Sequence, residues 1–206
     1  MVDLAHTLRI QAHANRLANQ RLHTAMAPLT AAELHAPRAS FFPSLMATLS
    51  HILAVDLYYI AALAADPDPE AAWRLYQPAT ELAPLAAAQR VSDLRLVGLC
   101  AALDAAGCGR IVPMPRGGGH IQCDRAAHVL AHLFMHQTHH RGQVHAMLSG
   151  TQVKPPQLDE FLMPSEGHLR VPEMQAMAWD EAAVYGPLPP NEPLSEPPSE
   201  PPQPAA

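Results

Sequence analysis

Apolar residues recur at three- and four-residue spacing from about Asp3 to Met26 (Leu4, Leu8, Leu17, Leu22), the period of a helix with one buried face, and Pro28 closes the run. Thr30-Ala31-Ala32-Glu33 has the form of a capping box and predicts a short turn of helix. A second long helix is expected after Pro43, with Ser44 near its cap, running through Ser50-His51-Ile52-Leu53 to about Ala65, where Asp66-Pro67-Asp68-Pro69 stops it. Beyond a connector with Trp73 and Tyr76, Thr80 is placed to cap a third helix reaching about Ala105, with Pro84 tolerated near its first turn. The stretch from Cys108 to Cys123 breaks the period. Its flanking segments around Gly117-Gly118-Gly119 predict a short irregular hairpin, and no Gly-Lys-Ser/Thr follows to make a phosphate loop. Asp124 is expected to cap a fourth long helix to about Ser149, ended by Gly150, and a weaker helical tail around Leu158–Leu162 and Val171–Val184 should pack on the outside. The pattern predicts an all-α fold, an up-down four-helix bundle with a small hairpin between the third and fourth helices.

Composition agrees. Hydrophobic residues make up 49% of the 206 and aromatics only 5%, so the apolar bulk is Ala and Leu, which favour helices over strands. The last 21 residues hold nine prolines and three glutamates, which neither a helix nor a ladder accommodates. The division expected is a bundle domain over 1–185 and a disordered, solvated tail over 186–206. A net charge of −6 gives no basic face, so nucleic acid is not expected as a partner. No uninterrupted run of about 18 apolar residues occurs, so no membrane span is expected. Three cysteines (Cys100, Cys108, Cys123) without a CxxC pair, and no secretory pattern at the N-terminus, predict a reduced, cytoplasmic setting.

The thirteen histidines change the picture. The fourth helix carries His128, His132, His136, His139, His140 and His145. Residues four apart on a helix differ by about 40° around the axis, so each of 128/132, 132/136 and 136/140 can share one ligand, but the drift reaches about 120° over all four. Spacing alone leaves the pair open. His51 stands in the otherwise apolar Leu49–Leu57 run, where a buried imidazole needs a partner. It is either a core histidine bonded to a carbonyl or to Asp56, or one ligand of a site shared with a facing helix. One histidine from helix two and a pair from helix four would supply three neutral nitrogen donors, the set of an open divalent site.

His132-Leu133-Phe134 followed by His136-Gln137-Thr138-His139-His140-Arg141-Gly142-Gln143-Val144-His145 resembles the signature of the DinB-like (damage-inducible) family of metal-binding four-helix bundles. The likeness continues in Phe42-Pro43-Ser44-Leu45, Thr48 to Asp56, Asn15 with Ala18 to Leu22, and Pro155 to Phe161. It implies that His51, His136 and His140 hold a divalent metal ion (zinc, nickel or iron). Met135, where many members have Asn, and the missing Trp near Leu17 are the departures. The resemblance also implies a homodimer and a metal-dependent enzyme that activates a thiol or water, similar to S-transferases that use low-molecular-weight thiols. The alternative is a non-catalytic, metal-stabilised bundle that acts in a stress response through partner binding. No Asp or Glu lies one turn from the three histidines, which favours thiol transfer over hydrolysis. Of the remaining residues, His132, one turn below His136, is expected either to support the ligand histidines or to be a polar residue of the helix interior, and His139 to be a donor to a neighbouring helix or subunit. Asp56 should fix a group other than His51. Tyr58 is either core or pocket lining. Arg141 and Gln143 should bond adjoining helices, and the cysteines should pack without reacting.

Overall fold

Side-chain caps set where most of the helices begin in the computed structural model, which describes residues 3–159 and 163–186. Asp3 accepts from the His6 amide (2.8 Å) and starts α1 (Leu4–Met26). The expected Thr30/Glu33 capping box opens α2 (Ala31–His35), and Ser44 accepts from the Ala47 amide (3.1 Å) to start α3 (Leu45–Leu63). The Asp-Pro-Asp-Pro stop does more than end α3. Asp68 caps, and Pro69 occupies the first turn of, a short α4 (Pro69–Arg74) that the periodicity does not announce.

Two expected caps are corrected. The third long helix, α5 (Leu82–Ala101), starts behind Glu81 without a side-chain cap, not from Thr80, and stops before Asp104, which caps a separate α6 (Ala105–Gly109). The hairpin is present as β1 (Ile111–Pro115) paired antiparallel with β2 (Ile121–Arg125). Asp124 sits inside that ladder opposite Val112, so its backbone is committed to pairing; α7 (Ala126–Leu148) begins later, with Arg125 at the cap position. The Ala126 amide finds its acceptor in Arg110 O (2.8 Å). Three glycines at φ between +58° and +78° make the hairpin turn, a conformation in which a Cβ would be strained.

The described residues form the all-α bundle, with α1 and α3 each packed against both α5 and α7. Tyr59 meets His132 while His51 meets His140, so α3 and α7 are antiparallel. Gln89 reaches Asp56 and Arg95 reaches Asp66, so α3 and α5 run the same way. Asn19 meets Asp93 while Arg9 lies near Cys100, so α5 opposes α1. The long helices therefore run up-down-down-up rather than alternating strictly. A parallel pair needs a connection that returns along the bundle, about 30 Å for a 20-residue helix, and residues 64–81, with α4, provide it.

Two apolar clusters fill the interior, one around Leu8, Tyr58, Leu96 and Leu130, the other around Leu22, Leu45, Leu53, Leu85 and Val144. Between them lies a buried polar layer drawn from all four long helices: Asn15, Asn19, Asp56, Gln89, Asp93, Gln137 and Arg141. The C-terminal elements, a 3-10 turn (Pro164–Leu169), α8 (Val171–Ala176) and α9 (Glu181–Tyr185), pack outside as expected, with Trp179, Val184 and Tyr185 on Leu17 and Ala18 of α1. Leu158 and Asp159 are not helical, and residues 160–162 of the helix expected there, like the tail expected beyond Gly186, lie outside the described residues. Among the described residues, α3 alone is long and apolar enough to cross a membrane, and 83% of it is buried inside the bundle.

Candidate metal centre

His51 on α3 faces His136 and His140, one turn apart on the antiparallel α7, and the three offer ring nitrogens that all lie within 4.8 Å of one another. The helix period alone left three pairs open; the packing of α3 against α7 brings together the 136/140 pair and His51. His51 Nε2 and His136 Nε2 are 2.9 Å apart. Two nitrogens bound at about 2.05 Å to one ion are about 2.9 Å apart if their bonds meet at right angles, and about 3.3 Å if tetrahedral, so this spacing suits a shared cation.

Proton placement agrees with the donor set. Gln143 bonds both His140 Nδ1 through Oε1 (2.8 Å) and His139 Nε2 through Nε2 (3.2 Å). The amide nitrogen donates to His139, so its oxygen must accept from His140 Nδ1–H, and the lone pair of His140 is left on Nε2. His136 Nδ1 is buried with no hydrogen-bond partner. Burial, followed by the neighbouring imidazoles, lowers His51 to about 4 and His136 to about 3, and burial likewise lowers His140. Three imidazoles kept neutral at pH 7 are what a divalent cation requires. Phe42 covers one side, its ring stacked on His51 at 4.2 Å and tilted towards His140 at 5.6 Å.

The polar layer behind α7 fixes the helix that carries two of these residues. Arg141 Nη1 donates to Asn15 Oδ1, to Asn19 Oδ1 (3.2 Å) and to Gln137 Oε1 (3.0 Å), while Gln137 Nε2 donates to Asp56. Gln89 Nε2 bridges Asp56 (2.7 Å) and Asp93 (3.1 Å). Gln137 and Arg141 adjoin His136 and His140 in sequence, so this layer sets both the rotation and the height of the histidine face. Burial raises Asp56 to about 7; burial, then the nearby Asp56, raises Asp93 to about 8; burial lowers Arg141 to about 10.

Several expectations for neighbouring residues are refined. Asp56 does fix groups other than His51, and Arg141 does bond an adjoining helix. Gln143 instead bonds its own helix, and His139 accepts from Gln143 rather than reaching a neighbour. His132 is not an interior residue: it is exposed and stacks on Tyr59 at 5.5 Å, because the helix period turns it towards the groove. Cys100 and Cys108 are buried, and burial pushes the Cys100 thiol up to about 12; Cys123 is exposed on β2.

A cavity of about 520 Å³ opens beside His136. Val55, Tyr58 and Tyr59 of α3, His132 and His136 of α7, Trp73 and Glu70 of α4, and Arg116 at the hairpin tip line it. A second hollow beyond Trp73 reaches His51. The crossover 64–81 thus builds one wall, and the hairpin another, of a space that His132 and His136 also line. Sequence spacing could not supply Glu70, Trp73 or Arg116, since they come from connectors with no period of their own.

No curated protein matches the chain. The model of the DinB family matches residues 6–169, most of the chain and all four long helices. With the bundle, its interhelical histidine trio and that match in hand, the chain belongs to the DinB family.

Proposed function

We propose that His51, His136 and His140 bind one divalent metal ion and that the protein is a metal-dependent enzyme acting on a thiol or on water. The observation that carries this reading is the meeting of three ring nitrogens, one of them on His136, which lines a cavity wide enough for a small molecule. A divalent ion held by His51, His136 and His140 would lower the pKa of a bound thiol or water and polarise an electrophile. The chain's own residues do the rest. Gln143 holds the tautomer of His140, Phe42 keeps water from one side of His51, and the polar layer holds α7 in register. Glu70, the carboxylate on the cavity wall, has one oxygen bonded to the Gly117 amide at 2.8 Å, which marks it as a wall residue more than a free base and favours thiol over water.

The test is a thiol-conjugation screen. Metal-loaded protein is mixed with low-molecular-weight thiols and small electrophiles, and the His51→Ala variant serves as control. Acceleration that needs both metal and His51 supports the enzyme. Stoichiometric metal with no acceleration across thiol and hydrolytic substrates supports the competing reading, a metal-stabilised bundle that works by binding.

A further inference from the structure

The cavity beside His136 has a chemistry of its own. At one end Arg116 is held in place before any ligand arrives. Its Nη2 donates to Tyr59 Oη (3.1 Å), its Nε donates to Gln122 Oε1 (3.1 Å), and its guanidinium lies over the rings of Tyr58 and Tyr59 at 5.3 and 5.4 Å. A guanidinium has five N–H donors; these contacts occupy two. Among the described residues no carboxylate lies within ion-pair distance of it. The other charges on the wall are committed: Arg74 pairs with Asp68 at 2.8 Å, and Glu70 accepts from the Gly117 amide. That last bond, and the one from Tyr58 Oη to Pro115 O, tie the hairpin tip to α4 and α3, so Arg116 sits on a supported element. Val55, Trp73, Tyr58 and Tyr59 make the apolar and aromatic part of the wall that Arg116 and His136 share.

We propose that this cavity binds a small molecule made of an apolar or aromatic body and one carboxylate, with the carboxylate on Arg116 and the body pointing towards His136. A carboxylate matches the free edge of a guanidinium in two parallel hydrogen bonds, and such charge-assisted pairs are among the stronger and more directional contacts. The aromatic faces stack on a flat body and already hold the guanidinium, so little ordering is needed on binding. That the bound molecule is a substrate rests on the metal-centre reading above; that it binds does not.

Calorimetric titration of the full-length, metal-loaded protein with 4-phenylbutyrate, its neutral amide 4-phenylbutyramide, and butyrate tests this. The expected result is binding of 4-phenylbutyrate at least about tenfold tighter than either of the others. In Arg116→Gln the advantage of acid over amide disappears, while in Arg116→Lys part of it remains. In His51→Ala the advantage persists, because the carboxylate is not on the metal. An acid preference that survives Arg116→Gln and vanishes in His51→Ala puts the carboxylate on the ion and overturns the inference while leaving the metal centre standing. Equal binding of acid and amide, or no binding of either, overturns it too. If the protein carries no metal yet shows the Arg116-dependent preference, the proposed function fails and the carboxylate site remains.

Discussion

Gln143 is the residue on which the proton state of the cluster turns. Its single amide reads the tautomer of His140 and is anchored on His139. Partners of this kind typically account for ten- to a hundredfold in metal affinity. Gln143→Ala is expected to weaken metal binding by about that factor in competition with a chromogenic chelator, and unchanged affinity would remove Gln143 from the site. The histidines themselves were partly legible in the sequence: an i, i+4 ladder on one helix and a lone imidazole in an apolar run. The period could not choose among the 128/132, 132/136 and 136/140 pairs, because that choice is made by the height at which α3 packs on α7. His132 was misplaced for a related reason: its helix period puts it on the face of His136, but whether that face is core or groove depends on what α3 places opposite it, here Tyr59.

At the scale of elements, the apolar period announced α1, capping chemistry announced α2 and the start of α3, and the glycine run announced the hairpin. Asp124 misled because the ladder runs on through Arg125, which leaves Asp124 one residue short of the cap position. The polar layer left a trace as Gln89 and Asp93, four apart on one face of an otherwise Ala- and Leu-rich helix, but its closure needed partners from three other helices. Arg141 holds that layer together from α7. Its loss leaves the buried amide oxygens of Asn15, Asn19 and Gln137 without their donor, and each stranded buried group costs about 1–3 kcal/mol. Arg141→Ala should therefore lower urea-denaturation stability by at least that amount, and by much more than Arg95→Ala, whose pair with Asp66 is on the surface. Equal losses in the two variants would show that the layer does not anchor α7. The crossover 64–81 was read as a connector, and nothing in its periodicity told that it walls the cavity.

For the whole molecule the buried titratable groups set two opposed slopes. His13, His23 and His51 are lowered from 6.5 to about 4 and His136 to about 3, chiefly by burial. The unfolded chain binds protons there that the folded chain refuses, so this stability is present above pH 6.5 and lost as pH falls towards 4. Asp56 and Asp93 are raised from 3.8 to about 7 and about 8, so their contribution is present below 3.8 and lost as pH rises through 7 to 8. Four groups against two place the stability maximum of the metal-free protein near pH 6.5, read as melting temperature across pH. Asp93→Asn should flatten the alkaline limb and steepen the acid limb, because its opposing slope runs from 3.8 to about 8. A maximum well above pH 8 would contradict these protonation states.

The measurement that bears most directly on the account is elemental analysis of untagged, full-length protein beside its His51→Ala, His136→Ala and His140→Ala variants, with helicity followed by circular dichroism. One divalent ion per chain is predicted in the parent protein. Each variant should keep its helices and retain less than about a tenth of that ion. A full complement of metal in any one folded variant, or none in the parent after metal loading, would contradict the three-histidine centre.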